Sequence, residues 1–215
     1  MSNYQLSPTA KKAIALIASA FMLFLVYYGS YLPWHKSSVF IATLRQLSQF
    51  GTVDEVLRGF DQVFQIQSPI GQEELVRHFG NVVMSSIQQN GGAQPQLSET
   101  LLGYLEERYK PILARERGMS FNQNLLLLGI VNQTVAVHTK KQEYLDRAEA
   151  LYLQGLESAP DRPQFLYALY DLYRLEQRND KALEMAEKII NLWPEDARIE
   201  QSVNQMKGVS TSTSR

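Results

Sequence analysis

Residues 165–194 read FLYALYDLYRLEQRNDKALEMAEKIINLWP. Large apolar residues recur there every three or four positions on either side of the polar break EQRND, the spacing of one face of an α-helix. The stretch therefore reads as two amphipathic helices, about 163–177 and 181–192, joined by a short turn. Ala182 and Pro194 stand 34 residues after Ala148 and Pro160, so the pattern is written twice. A small alanine where two helices cross lets their backbones approach, and a proline past the second helix stops it.

On these residues the segment resembles the tetratricopeptide repeat. Leu166, Leu169 and Tyr173 take the large positions of the first helix; Ala182, Ala186 and Ile189 face them from the second, and Pro194 ends it. The earlier copy keeps Ala148, Tyr152, Gly155 and Pro160, but its first helix offers Asn132, Val135 and Ala136, a poorer fit. Tyr170 stands where the family has a small residue, which implies a wider crossing or an interface filled by that ring. The resemblance covers about residues 124–194. It implies an all-α fold, an α-solenoid of antiparallel helix pairs, and a function in binding other proteins.

Upstream the helical period continues without alternating valine- or threonine-rich runs. Further helices are expected at about 37–50, 53–65, 72–89, 97–117, 121–139 and 141–158, and one at 195–206 caps the stack. Pairs 37–65 and 72–117 would stack below as divergent units. Thr52 with Glu55 and Ser120 with Gln123 fit the capping box, and Asp161 before Pro163 fits an N-cap. Residues 90–95, NGGAQP, interrupt the helices as a loop. The tail GVSTSTSR, 208–215, has no apolar anchor and reads as disordered.

From Ala13 to Leu32 the chain runs AIALIASAFMLFLVYYGSYL, twenty residues without a charge. At about 1.5 Å per residue they span roughly 30 Å, the thickness of a hydrocarbon core. Lys11 and Lys12 flank one end, and Tyr27, Tyr28, Tyr31 and Trp34 form an aromatic belt at the other. The exit GSYLPWHK offers no small-x-small cleavage site, so an uncleaved signal-anchor is expected rather than a signal peptide. The lysine pair favours a cytoplasmic N-terminus, although Lys36 and Arg45 lie not far beyond the other end. The expected organisation is thus a cytoplasmic N-terminus (1–12), a transmembrane helix (13–34), a divergent helical region (37–120), repeats with a capping helix (121–207) and a disordered tail (208–215), with the C-terminal domain extracytoplasmic.

The chain has 215 residues, 21 basic against 22 acidic, a formal charge of −1 and no cysteine. That balance gives no electrostatic footprint for nucleic acid, and the missing thiols exclude disulfides and cysteine chemistry. His35, His78 and His138 are isolated, and no phosphate loop or nucleophile elbow occurs. Adjacent acids such as Glu73-Glu74 and Glu106-Glu107 suit solvated faces or first turns. No catalytic residue, metal or cofactor is expected.

The first helices of the two repeats would present Gln133, Val137, Lys140, Gln164, Tyr167, Asp171 and Arg174 on a concave face. Such a face suits an extended or helical peptide, with Tyr167 as a flat anchor and Lys140 or Arg174 meeting an acid. The succession of a membrane helix, the phrase IGQEELVRHF and the repeat region from YLDRAEALYLQGLESAP to LWPE also looks like the C-terminal region of bacterial O-antigen ligase or polymerase-like membrane proteins. Those enzymes have many spans and this chain has one. The resemblance implies envelope polysaccharide biology without glycosyl transfer. The leading expectation is a scaffold on the outer face of the cytoplasmic membrane that recruits an envelope-assembly partner. Alternatives are a non-catalytic subunit for a polytopic O-antigen ligase-like partner, and a translocon-associated or chaperone-like protein.

Overall fold

The computed structural model describes residues 7–118 and 120–212, with the backbone alone for 208–212. Among these residues every regular element is a helix: α1 (Pro8–Val26), α2 (Leu32–Gln46), α3 (Val53–Gln65), α4 (Gln72–Asn90), α5 (Pro95–Leu113), α6 (Phe121–Thr139), α7 (Gln142–Ser158), α8 (Pro163–Leu175), α9 (Asn179–Leu192) and α10 (Ala197–Ser212). The chain divides into two compact units, residues 1–75 and 76–215.

In the first unit Ser7 caps α1, its hydroxyl accepting from the Ala10 amide, with Pro8 at the helix start. No residue of α1 is buried, and from Pro8 to Gln49 the helical path is long and apolar enough to cross a membrane. The segments expected at 13–34 and 37–50 join without an interval, and the helical path passes through Pro33. The physical reason lies in Tyr27–Tyr31, just upstream, which form a π-turn closed by the Leu32 amide bonding to the Tyr27 carbonyl. A proline removes one intrahelical bond and collides with the carbonyl four residues back, and a wider turn relieves both. The turn carries an aromatic ladder: Phe24 stacks on Tyr28, Tyr27 on Tyr31, and Tyr31 on His35.

Past the ladder, α2 and α3 pack through Phe40, Phe60, Val63 and Phe64, all buried. Lys36 is buried too, its ammonium donating to the Ile66 carbonyl (2.8 Å) and to Gln72. Helix α3 starts with the expected capping box: Thr52 accepts from the Glu55 amide at 3.3 Å, and Glu55 accepts in return from the amides of Gly51 and Thr52. Thr52→Ala is therefore expected to cost about 1 kcal/mol. The measurement is native-state hydrogen exchange, in which the Glu55 amide should lose protection; unchanged exchange there would contradict the cap.

In the second unit a core built from α6 to α10 includes Leu125, Ala148, Tyr152, Phe165, Leu169, Tyr173, Ala182, Ile189 and Ile199. Each helix from α5 packs on the next. Neighbours α6 and α7 run antiparallel, because Ser158 at the end of α7 donates to Asn122 at the start of α6. The expected 34-residue step recurs in the backbone. Helix α7 ends at Ser158 and α9 at Leu192; α8 starts at Pro163 and α10 at Ala197, 34 residues on in each case. The caps Ala159 (φ −152°, ψ 82°) and Trp193 (φ −133°, ψ 81°) share a conformation. Their turns share hydrogen bonds as well, Arg162 N to Ala159 O and Asp196 N to Trp193 O. Pro160 and Pro194 both sit exposed in these turns, where no amide is required of them.

Several local expectations are corrected. Ser120 makes no cap bond; its backbone (φ −99°, ψ 3°) is not extended, and Arg77 donates instead to both Ser120 Oγ and Gln123 Oε1. Asp161 does not cap α8, because the repeated turn puts Arg162 at that position. Helix α5 starts two residues early, at Pro95, and stops at Leu113 rather than 117, just after Pro111, whose ring nitrogen carries no donor. Helix α8 ends at Leu175 because Gln177 turns left-handed (φ 59°) and the Arg178 amide reaches back to the Tyr173 carbonyl at 2.8 Å. The turn at 91–94 lies where NGGAQP was expected to interrupt the helices. Helix α10 starts at Ala197, not 195, and its backbone stays helical through 208–212, where a tail is expected; residues 213–215 lie outside the described residues.

Candidate binding surface

The seven residues expected to line a groove lie on two helices that touch, α6 and α8, or at the end of α6. Val137, Gln164, Asp171 and Arg174 are exposed. Lys140 is exposed as well, as the left-handed cap of α6 (φ 60°) with its amide bonded to the Ala136 carbonyl. Gln133 turns inward and accepts from the Tyr152 hydroxyl at 3.0 Å. Tyr152 links it to Asp171: burial first, and then the Asp171 charge, push the phenol's pKa upward.

Tyr167 is only half-exposed. Its ring stacks on Trp193 with centroids 6.4 Å apart, its hydroxyl donates to Asp196, and the Arg198 guanidinium lies 5.3 Å from its centre. Burial and then the Asp196 carboxylate raise its pKa to about 12. The ring expected to anchor a ligand is thus held by the α9–α10 corner. Tyr170 is 1% exposed and bonds to Ser202 of α10, so the ring fills the interface, one of the two outcomes expected of a large residue there.

Of the repeat positions, Ala148, Leu169 and Ala182 are completely buried and Tyr173 nearly so. Gly155 lies against the Phe165 ring and Gly129 against that of Tyr152; a methyl group at either position would overlap ring carbons. Close helix approach thus rests on glycine as well as alanine in the first copy.

Glu149 is a centre that spacing did not reveal. Its carboxylate receives a two-pronged bond from Arg178 (2.6 and 3.0 Å), one from the Tyr173 hydroxyl (2.9 Å) and one from Lys181 (3.1 Å). Arg178 also reaches Glu176, which accepts from Gln142. These donors, Arg178 foremost, hold the Glu149 pKa at about 2. The cluster ties α7 to α8 and α9, and its groups are spent on one another. On neighbouring turns of α7, Arg147 pairs with Glu106 at 3.2 Å, and Lys141, just before it, with Glu99.

Among the described residues, no group of three histidine, aspartate or glutamate side chains is placed to hold a metal ion. No protein-family model matches the chain, and no curated protein sequence matches it.

Proposed function

We propose that the chain is a membrane-anchored scaffold that binds a partner protein through a tetratricopeptide-like α-solenoid on the outer face of the cytoplasmic membrane. The observation that carries this reading is a juxtaposition within one chain. An apolar helix with no buried residue stands at the N-terminal end. Helical pairs whose turns recur every 34 residues make up the C-terminal part. Stacked helical pairs expose long polar faces suited to extended or helical peptides, and an apolar helix without protein to bury it suits a lipid environment. Orientation follows from Lys11 and Lys12, both exposed. Beyond the apolar segment the Lys36 charge is enclosed by Ile66 and Gln72 and is not offered to lipid headgroups. The partner's chemistry belongs to envelope assembly in this reading, by the sequence resemblance alone.

The chain lacks cysteine, so Glu157→Cys, at an exposed site on α7, introduces a single reporter. In spheroplasts an impermeant maleimide should label it before lysis. Labelling only after lysis would place the repeats in the cytoplasm and replace the envelope reading with a tethered cytosolic adaptor. A photocrosslinker at exposed Val137 should then capture a discrete protein in cells; a smear of many clients would point to chaperone-like activity.

A further inference from the structure

Helices α8 and α10 enclose a pocket of about 200 Å3 lined by Tyr170, Arg174, Arg198, Gln201, Ser202 and Gln205. Its lining has two guanidinium groups and no carboxylate. Several other cations in this half of the chain meet acids: Arg178 and Lys181 at Glu149, Arg147 at Glu106, Lys188 at Glu184, Lys207 at Glu187. Arg174 and Arg198 are instead seated on rings, 5.5 Å from the centre of Tyr170 and 5.3 Å from that of Tyr167. Arg174 also donates to the Tyr170 hydroxyl at 3.4 Å. Asp196, whose carboxylate feels the Arg198 charge, is bonded to Tyr167 and to the Ile199 amide.

We infer that this pocket binds a carboxylate side chain, glutamate or aspartate, of an extended segment of a partner protein, with Arg174 and Arg198 as the anion-binding pair. The inference rests on the scaffold reading above and names the chemistry of its ligand. Guanidinium groups present a fork of donors that fits a carboxylate, and stacking on a ring fixes the fork in advance, so little freedom is lost on binding. The volume is below the roughly 300–1,000 Å3 of a small-molecule or cofactor pocket, which favours a single side chain. The amides of Gln201 and Gln205, one turn apart, continue along α10 beside Glu200 and Asn204, both exposed. They supply donors and acceptors for a peptide backbone passing through the site, so an internal residue fits better than a chain terminus.

The test uses the full chain in detergent micelles and fluorescent octapeptide pools with amidated C-termini. Each pool is randomised except for one central position fixed as Glu, Gln or Lys. The Glu pool should be retained at least tenfold over the Gln and Lys pools, with retention falling as salt rises. Arg174→Gln or Arg198→Gln should each lower it about tenfold, Arg174→Lys less, and Arg162→Gln, whose guanidinium lies over Phe165, should change nothing. Equal retention of the three pools, no retention of any, or arginine variants that bind normally with unaltered circular dichroism would overturn the inference. A preference for peptides with a free C-terminal carboxylate, whatever the central residue, would also overturn it. Crosslinking from Val137 in cells separates the two readings. If no protein is captured by the wild type, the scaffold reading fails. If capture is equal for the wild type and the arginine double variant, the scaffold reading stands and the carboxylate site falls.

Discussion

Gly155→Ala should destabilise the helical domain by about 2 kcal/mol or more, lowering its melting temperature by roughly 6–10 °C. Helix propensity alone argues the other way, since glycine inside a helix is worse than alanine by about 1 kcal/mol. Packing reverses the sign. The added methyl would fall within three carbons of the Phe165 ring, and Phe165 is completely buried in the core joining α7 to α8, so it has no free space to move into. Overpacking a filled core costs about 1–3 kcal/mol and more where the neighbour is rigid. Gly103→Ala is the matched control: the site lies inside α5 with nothing near a new Cβ, so the same change should stabilise by about 0.5–1 kcal/mol. Thermal unfolding of both variants in the same detergent decides the matter. If Gly155→Ala stabilises as Gly103→Ala does, α7 and α8 do not approach as closely as the structure has them.

The same contrast explains which parts of the fold were legible in the sequence. Helices α3 and α6 start and stop at the expected residues, because local signals mark them: the Thr52–Glu55 box for one, a long apolar period for the other. The 34-residue step was legible for a similar reason, as Ala148 and Ala182 can be buried at a crossing only if the turns that follow them match. Reading failed where a distant residue overrode a local motif. Ser120 and Gln123 form a sound capping pair until Arg77, more than forty positions away, takes both oxygens. The interval expected between 34 and 37 closes, because the π-turn before Pro33 absorbs the proline's misfit. In the candidate site, Arg174 and Tyr167 were legible from helical spacing. Arg198 and Ser202 were not, because α10 had been read as a cap and nothing local says that a cap will face Tyr170. Glu149 was invisible for the same reason, its partners being scattered over residues 173–181.

Glu149 carries the strongest pH dependence expected of this fold. Its folded pKa, about 2, lies below the ordinary glutamate value of 4.5. A carboxyl with a depressed folded pKa stabilises above its unfolded pKa, and that contribution is lost as pH falls through the folded one. The window therefore runs from about pH 5 down to about pH 2, and a shift of this size corresponds to roughly 3 kcal/mol. The Glu149 side chain is 16% exposed, so screening by solvent is modest. Arg178, its pKa raised by the same contact, stays cationic throughout, which leaves the titration to Glu149. Glu99 and Asp196 are also held below the usual carboxylate values, by Lys141 and by Tyr167 respectively, so the comparison must be between proteins. Glu149→Gln should be less stable than wild type by about 2–3 kcal/mol at pH 7, because Arg178 and Lys181 lose the acid between them. The two denaturation midpoints should converge as pH falls from 5 to 2. A difference that holds constant across that range would mean that Glu149 contributes packing and hydrogen-bond geometry but not its charge.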